Sequence, residues 1–380
     1  MKKERSEEEL FEKMPVPKAV ATLAVPTIIG QIVTMIYNLA DTFFVGQMGN
    51  PYMVAAVSLV SPWFNLLTAL GNLFGLGGGS LISRMIGSNN HRDVKYVSAF
   101  SIWGGGITTL LFSLLTYLFR HPLLSFLGAS SGTYGYAQSY LLWVVVLGGV
   151  PTMLSLTMGN LLRSEGHARQ ASIGMMFGGI LNVVLDPVLI FGFHLDVAGA
   201  AIATACSNLA SVVFFIVIYL RLKKRTAVSL RPNYFSFRFI RQIFSVGLAS
   251  ALATTLGNAS NMVIIKLAAG YGDIPVAAYG IVKRIDQFPL NISMGLCQGF
   301  MPLVGYNFAS GNYKRMREVS FLRIACIAVP FTSANIPLLI FMDFTVGLYG
   351  MIWTQLIVEL VMLPISLGMY KYTFRHLKRQ

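Results

Sequence analysis

Two acids set inside apolar runs, Asp41 and Asp186, are the residues of this sequence best suited to chemistry. Asp186 lies in the otherwise apolar stretch Asn182–Gly192. A carboxylate in a lipid-embedded helix costs about 2.5 to 3.5 kcal/mol on insertion scales, so by default it marks an ion or proton path. Asn182 precedes Asp186 by one helical turn, which puts an amide oxygen and a carboxylate on one helix face. This pair predicts a site for one proton or one small cation.

Two prolines inside apolar runs, Pro26 and Pro187, are predicted to bend their helices. Pro187 directly follows Asp186, lacks a backbone donor and clashes with the carbonyl of Val183. We expect this carbonyl to be left free as a further ligand for the ion.

Composition predicts a protein that crosses the membrane several times. The chain has 380 residues, of which 55% are hydrophobic and 12% charged, and its mean hydropathy is +0.64. These values lie well outside the range of soluble globular domains. The net charge of +14 is confined to short segments between apolar runs, which indicates membrane topology and not a nucleic-acid partner. Residues 1–18 are charged and lead into a full span, so no cleavable signal peptide is expected. We expect the protein to be surrounded by lipid.

About ten apolar runs are long enough to span a bilayer. These runs are 19–45, 54–85, 95–119, 136–160, 169–193, 197–221, 240–270, 275–309, 321–342 and 346–370. Every second connection is basic, which predicts that both termini are cytoplasmic.

The predicted fold is an all-α membrane protein with two homologous lobes, because Met53–Val57 recurs in similar form as Pro275–Tyr279 about 222 residues later. Lobes that both begin in the cytoplasm are parallel repeats about an axis along the membrane normal. The second lobe falls short by about 43 residues after Ser320 and by about 28 before Gly350, or roughly two helices. A shortened protein and a sequence that omits segments both explain this shortfall.

Five parts of the chain follow from these patterns. They are a cytoplasmic segment 1–18, an N-lobe of six spans 19–221, a cytoplasmic linker 222–239, a C-lobe of about four spans 240–371 and a basic cytoplasmic tail 372–380.

Four regions of the sequence carry a resemblance to a known family. They are Tyr37–Gly46, Leu162–Gly166 with Asn182–Gly192, Gly299–Asn312 and Pro330–Asn335. Together they resemble the multidrug and toxic compound extrusion (MATE) transporters over nearly the whole chain. The resemblance implies twelve helices in two six-helix lobes, and drug export against an inward H⁺ or Na⁺ gradient. The short second lobe departs from that pattern.

The resemblance also implies an ion site. Four residues match the polar cluster that binds the coupling ion in prokaryotic members: Asp41, Asn182, Asp186 and Thr204. At 1.5 Å per residue, Asp41, Asp186 and Thr204 all lie about 7 to 10 Å beneath the outer edge of the bundle. Two acids close together in low dielectric repel, so the pair should share a proton or hold a cation. The alternative for Asp41 is a helix-end acid hydrogen-bonded near the interface. Apart from H⁺ or Na⁺, no cofactor and no metal is expected.

The second lobe lacks an acid at the position that repeats Asp41, which is close to Met262, so ion coupling is expected in the first lobe alone. Three charged residues of the eighth span, Lys283, Arg284 and Asp286, either line the central cavity or form a strut between the lobes.

Tyr37 and Asn38 complete the predicted substrate cavity. The substrates expected by resemblance are small lipophilic or cationic drug-like compounds. The resemblance also implies a location in the bacterial inner membrane, and the protein is expected to be a monomer.

The leading functional prediction is a secondary antiporter that works by alternating access of the two lobes. A lipid-linked saccharide flippase of related architecture is the second candidate, but it would need several basic residues in the cavity to hold a pyrophosphate. A membrane enzyme would need converging catalytic groups, and the sequence offers no Ser/His/Asp grouping. A truncated remnant without transport activity is the remaining alternative.

Overall fold

The computed structural model of the protein describes residues 9–222, 226–269 and 273–326. In this part of the chain the secondary structure is helical, and no strand occurs among the described residues. The helices are α1 Val16–Gln47, α2 Pro51–Gly87, α3 His91–Leu118, α4 Arg120–Phe126, α5 Tyr134–Leu147, α6 Gly149–Ser164, α7 Ala168–Gly192, α8 Asp196–Arg221, α9 Ile240–Ala269, α10 Asp273–Ala309 and α11 Tyr313–Cys326. The all-α membrane fold predicted from the sequence is confirmed.

Six described helical segments are long and apolar enough to cross a membrane, and the bent pair α5 and α6 makes a seventh. The predicted span 275–309 corresponds to α10. The predicted span 346–370, and span 321–342 beyond Cys326, lie outside the described residues.

One predicted span is wrong as a single helix. The run 136–160 is divided at Gly148 into α5 and α6, whose axes differ by 45°. Pro151 explains the position of the break, because it has no N–H to donate to the carbonyl of Leu147 one turn earlier. The winding of Leu142–Leu147 has already widened to a π-helix before the break.

The starts of α2 and α3 are fixed by asparagine caps. Asn50 accepts a hydrogen bond from the N–H of Tyr52 at 3.0 Å, and Asn90 accepts one from the N–H of Asp93 at 3.4 Å. Such caps satisfy donors that have no partner inside the helix. The cap at Asn90 lets α3 begin before the apolar run that predicted a start at residue 95.

The two lobes pack reciprocally. In the repeat, α9 corresponds to α1 and α10 corresponds to α2; in the structure α1 packs along α10 and α2 packs along α9. Exchanging the two repeats therefore reproduces the same pair of contacts, as expected for lobes related by a twofold axis.

Glycines bring the lobes together in the half of the bundle nearer its basic face. We define this face as the end formed by residues 9–15, 84–95, 163–169, 221–222, 226–241 and 310–317. A Cβ at Gly247 on α9 would overlap the carbonyl oxygen of Leu73 on α2, and one at Gly299 on α10 would lie against the backbone of Ala24 on α1. Small residues allow this close approach of helix backbones. The described parts of the two lobes are thus closed against each other on the basic side.

A helical turn at Glu9–Lys13 lies between the lobes on the basic face. Phe11 is buried and stacks on Tyr306 of α10 with ring centroids 4.7 Å apart. The Tyr306 hydroxyl also donates to the Glu12 carboxylate at 2.9 Å. On the opposite side Phe11 approaches Gly166, in the turn between α6 and α7. The turn therefore contacts both lobes where they meet.

Residues 226–239, which we call the linker strap, follow the N-lobe along the basic face. The buried Glu165 carboxylate accepts hydrogen bonds from the N–H groups of Ala227 at 2.7 Å and Val228 at 3.2 Å. The hydroxyl of Thr226 donates to the other oxygen of the same carboxylate. Charge-assisted bonds of this kind are among the stronger hydrogen bonds in proteins, so Glu165 fixes the start of the strap.

We expect Glu165→Ala to release the strap without unfolding the helices. The buried N–H of Ala227 would lose its acceptor, at about 1 to 3 kcal/mol. The N–H of Val228 would keep only the hydroxyl of Thr226 at 3.1 Å, and that hydroxyl would lose its own bond to Glu165. Hydrogen exchange read by mass spectrometry should show amides 227 and 228 exchanging at least about 10-fold faster, since local opening sets their rate. Glu318→Ala, at an exposed site on α11, is the matched control. Unchanged exchange in Glu165→Ala would show that other contacts hold the strap.

Candidate functional site

The structure brings Asn182, Asp186 and Thr204 together between α7 and α8. Asp186 is 0% exposed and Asn182 is buried beside it. The Asn182 amide nitrogen lies 3.4 Å from Oδ1 of Asp186 and 3.5 Å from the hydroxyl of Thr204. Both contacts are long for hydrogen bonds. Directly after Pro187 the winding of α7 changes from α to π, over Val188–Gly192.

Some buried oxygen atoms at this site have no hydrogen-bond partner among the described residues. They are Oδ2 of Asp186, Oδ1 of Asn182 and Oδ1 of Asp41. A buried polar atom without a partner costs about 1 to 3 kcal/mol, more when charged, so these three atoms need an explanation. All three are oxygen acceptors, the ligand type that a proton or a hard cation requires.

Asp41, on α1, shares the electrostatic environment of Asp186. The charges of the two carboxylates interact, and both act on the buried hydroxyl of Tyr140 on α5. Tyr37, one turn before Asp41, interacts with it as well. Carboxylates this deep repel each other strongly in low dielectric. A proton or a cation taken up between them would remove that repulsion.

A cavity of about 70 Å³ lies between α1, α6, α7 and α8, and Asn182, Thr204 and Tyr37 line it. Its lining is mostly hydroxyl, amide and glycine: Thr34, Tyr37, Ser155, Leu156, Met175, Gly178, Gly179, Asn182, Thr204, Ser207, Asn208 and Ser211. The cavity is large enough for a few water molecules or one small ion.

Asn208 and Ser211 extend the polar surface of α8 beyond Thr204 and were not predicted from the sequence. The Asn208 amide donates to the Thr152 hydroxyl at 3.1 Å and to the Thr204 carbonyl at 3.0 Å, and the Ser211 hydroxyl donates to the Gly174 carbonyl at 3.1 Å. The signal was present, since positions 204, 208 and 211 repeat at helical spacing inside an apolar span.

The other predicted site residues fall in different places. Tyr37 lines the cavity, whereas Asn38 is exposed on α1 and is not part of the lining. Pro26 lies inside α1, on the basic side of this site. The side chains of Lys283, Arg284 and Asp286 lie outside the described part of the structure, so their assignment stays a prediction.

Among the described residues, no group of three or more His, Cys, Asp or Glu side chains could hold a metal ion. The acids at the site number two, and the remaining candidate ligands are neutral amide and hydroxyl oxygens.

Comparison with known proteins gives consistent results. The family model described as MatE matches residues 26–188 and 249–351. The chain is similar to the multidrug export protein MepA of Staphylococcus saprophyticus, with 38% identity over 321 residues that cover 84% of this chain and 71% of the relative. It is also similar to MepA of a Staphylococcus aureus strain, with 36% identity over 362 residues that cover 94% of this chain and 79% of the relative.

Solved structures share the fold. A MATE crystal structure in the straight conformation superposes with a TM-score of 0.90 at 21% identity, covering 98% of this chain and 99% of that one. A MOP superfamily transporter from Pyrococcus furiosus, reported to have a binding pocket of reverse polarity, gives a TM-score of 0.75 at 26% identity, covering 89% of this chain and 73% of that one.

Proposed function

Because this chain belongs to the MATE family of membrane transporters, we propose that it exports lipophilic, often cationic drug-like compounds in exchange for H⁺ or Na⁺. The family is one of transporters and not of enzymes. The observation that carries the proposal is the fully buried Asp186, one oxygen of which has no partner among the described residues, near a cavity lined by hydroxyl and amide groups. The MepA relatives are multidrug export proteins, which supports the substrate class.

The ion acts, in this proposal, by neutralising the two carboxylates. Asp186, Asn182 and Asp41 supply the oxygen atoms that would hold it. Asp41 lies on α1, whose other half packs against α10 of the second lobe. Ion uptake therefore changes the charge on a helix that also forms the interface between the lobes. An ion that binds the two lobe arrangements unequally shifts the balance between them, which is the basis of coupled transport.

We place the basic face in the cytoplasm of a bacterial cell, because basic loops stay on that side of the membrane. Both termini then lie in the cytoplasm. Since the described parts of the lobes contact each other closely on the basic side, this conformation is closed to the cytoplasm. We propose that the protein works as a monomer.

Counter-transport in proteoliposomes tests the proposal. The purified polypeptide, checked by intact mass against 41.6 kDa, is reconstituted, and a fluorescent cationic dye is followed under a pH gradient and, separately, under a Na⁺ gradient. We expect dye movement against its own gradient under at least one of the two ions. Dye movement that neither gradient drives would overturn the proposed antiport.

The flippase alternative gains no support from the described cavity. Its lining contains no Lys or Arg that could hold a pyrophosphate, and such recognition depends on charge-assisted hydrogen bonds.

Asp41→Asn is expected to reduce gradient-driven export at least about tenfold, because the amide keeps the shape of the side chain but cannot exchange a proton or neutralise Na⁺. The measurement is the initial rate of dye export in proteoliposomes at matched protein content. Asp196→Asn, at the exposed start of α8, is the control. Full activity of Asp41→Asn would return Asp41 to the role of an interfacial helix-end acid.

A further inference from the structure

The linker strap, the start of α3 and the start of α9 form a patch of unbalanced positive charge. Its exposed cations are Arg92, Lys95, Arg231, Arg238 and Arg241. The sequence has no Asp or Glu between Asp196 and Asp273. In the patch itself, Asp93 forms one weak pair, 3.7 Å from the Arg238 guanidinium, whose side chain is 70% exposed. The described charges of the patch therefore leave most of its cations free for an anionic ligand.

Apolar and aromatic side chains accompany these cations. Phe237 is 64% exposed, and Ile240 at the start of α9 is also exposed. The indole N–H of Trp103, itself exposed on α3, donates to the carbonyl of Leu230 in the strap at 3.0 Å. Trp is enriched where a membrane protein crosses the boundary between lipid and water. Exposed Phe and Ile next to Arg are typical of segments that lie in this boundary.

The patch is held rigid by the N-lobe. Phe235 of the strap stacks on Phe100 of α3 at 5.6 Å between ring centroids, and the ring of Phe237 packs edge-on against Phe235 at 5.1 Å. The hydroxyl of Ser98 accepts the N–H of Ser229 at 3.0 Å. A site whose backbone is already ordered loses little conformational entropy when a ligand binds.

We propose that this patch binds the phosphate of an acidic phospholipid in the adjoining membrane leaflet. Arg231, Arg238 and Arg241 contact the headgroup, since guanidinium groups bind phosphate through paired hydrogen bonds. Phe237 and Ile240 contact the acyl chains. A membrane lipid satisfies both halves of the patch, whereas a soluble phosphate would leave the exposed apolar side chains in water.

Native mass spectrometry of the full chain in detergent tests this site. The probe is phosphatidylglycerol, with phosphatidylcholine as the zwitterionic comparison and free glycerol phosphate as the soluble competitor. The test variant combines Arg231→Gln, Arg238→Gln and Arg241→Gln. The control combines Arg169→Gln, Lys314→Gln and Arg317→Gln, which removes the same charge from exposed positions elsewhere on the basic face.

Phosphatidylglycerol binding should fall at least about tenfold in the strap variant, because each basic residue near an anionic surface contributes several-fold to affinity. The control should bind as the unmodified chain does. The corresponding Arg→Lys triple variant should bind more tightly than the Arg→Gln variant, because it keeps the charge, but less tightly than the unmodified chain, because it loses the paired hydrogen bonds. Phe237→Ser should weaken the binding of phosphatidylglycerol without making the protein prefer glycerol phosphate. Equal loss in the strap variant and the control, no loss in the strap variant, or full displacement by glycerol phosphate would each overturn the proposal.

Discussion

Replacing Asp186 with Asn is expected to abolish gradient-driven export while the protein still inserts and folds. Asp186 is fully buried, and its Oδ2 has no hydrogen-bond partner in the part of the chain that the structure describes. The amide preserves the volume and the contact with Asn182, but it carries no charge and takes up no proton in the working pH range. With a neutral group at this position, H⁺ or Na⁺ no longer binds the two lobe arrangements differently, and the gradient cannot drive the cycle.

The measurement separates coupling from folding. Uphill dye export should fall to the level of protein-free liposomes, while size-exclusion behaviour and dye binding to the detergent-solubilised protein stay close to those of the unmodified chain. Asp186→Glu, which keeps the charge one methylene further out, should retain part of the activity. Undiminished export by Asp186→Asn would show that the coupling ion binds elsewhere.

Hydropathy and the residues at helix ends predicted most of the described helices. A bilayer requires long apolar runs, and backbone polar groups that are not hydrogen-bonded within a helix cost free energy in lipid. The predicted span 169–193 matches Ala168–Gly192 within one residue at each end. The break at Gly148 and the π-helical winding in α3, α5 and α7 were not predicted. Pro151 accounts for the break but does not alter the hydropathy of the run. The π-helical winding depends on how neighbouring helices pack, which hydropathy does not report.

The carboxylates of the candidate site and some of its neutral residues, such as Asn182 and Thr204, were predicted from the sequence, whereas most of the hydroxyl-bearing lining was not. A carboxylate in an apolar run costs enough to identify Asp186 from the sequence alone. A hydroxyl does not, because Ser and Thr can donate to the carbonyl one turn earlier at little cost. Thr34 does this with Gly30 at 2.9 Å, so nothing in its local sequence reveals that it lines the cavity. Tyr140 enters the site from α5, a helix with no ionisable motif to draw attention to it.

The basic linker shows the limit of charge patterns. Its Arg and Lys residues predicted on which side of the membrane the linker lies. The packing of the linker against the N-lobe was indicated instead by the aromatic residues between them, Tyr234, Phe235, Phe237 and Phe239. Phe239 is buried while Phe237 is exposed, so the strap has an inner and an outer face. Charge alone predicts topology and is silent about such contacts.

Gly247→Val is expected to prevent closure of the lobes on the basic side. The added side chain would overlap the Leu73 carbonyl across the lobe interface, and a backbone atom cannot move aside as a flexible side chain can. Forcing extra atoms into such a contact costs about 1 to 3 kcal/mol. That cost falls only on the closed arrangement, so 2 kcal/mol would shift the lobe equilibrium about 30-fold toward opening.

Distances between spin labels report this shift. Labels placed on exposed positions of the two lobes, Arg169→Cys and Lys314→Cys, in a background without the native cysteines, should move apart in Gly247→Val, and export should fall with the loss of the closed state. Gly106→Val on α3 is the matched control, because a Cβ at Gly106 would meet no atom within 4 Å. A label distance and an export rate both unchanged in Gly247→Val would mean that the close approach of α9 to α2 is not needed for the transport cycle. If the distance grows while export persists, closure on the basic side does not limit transport.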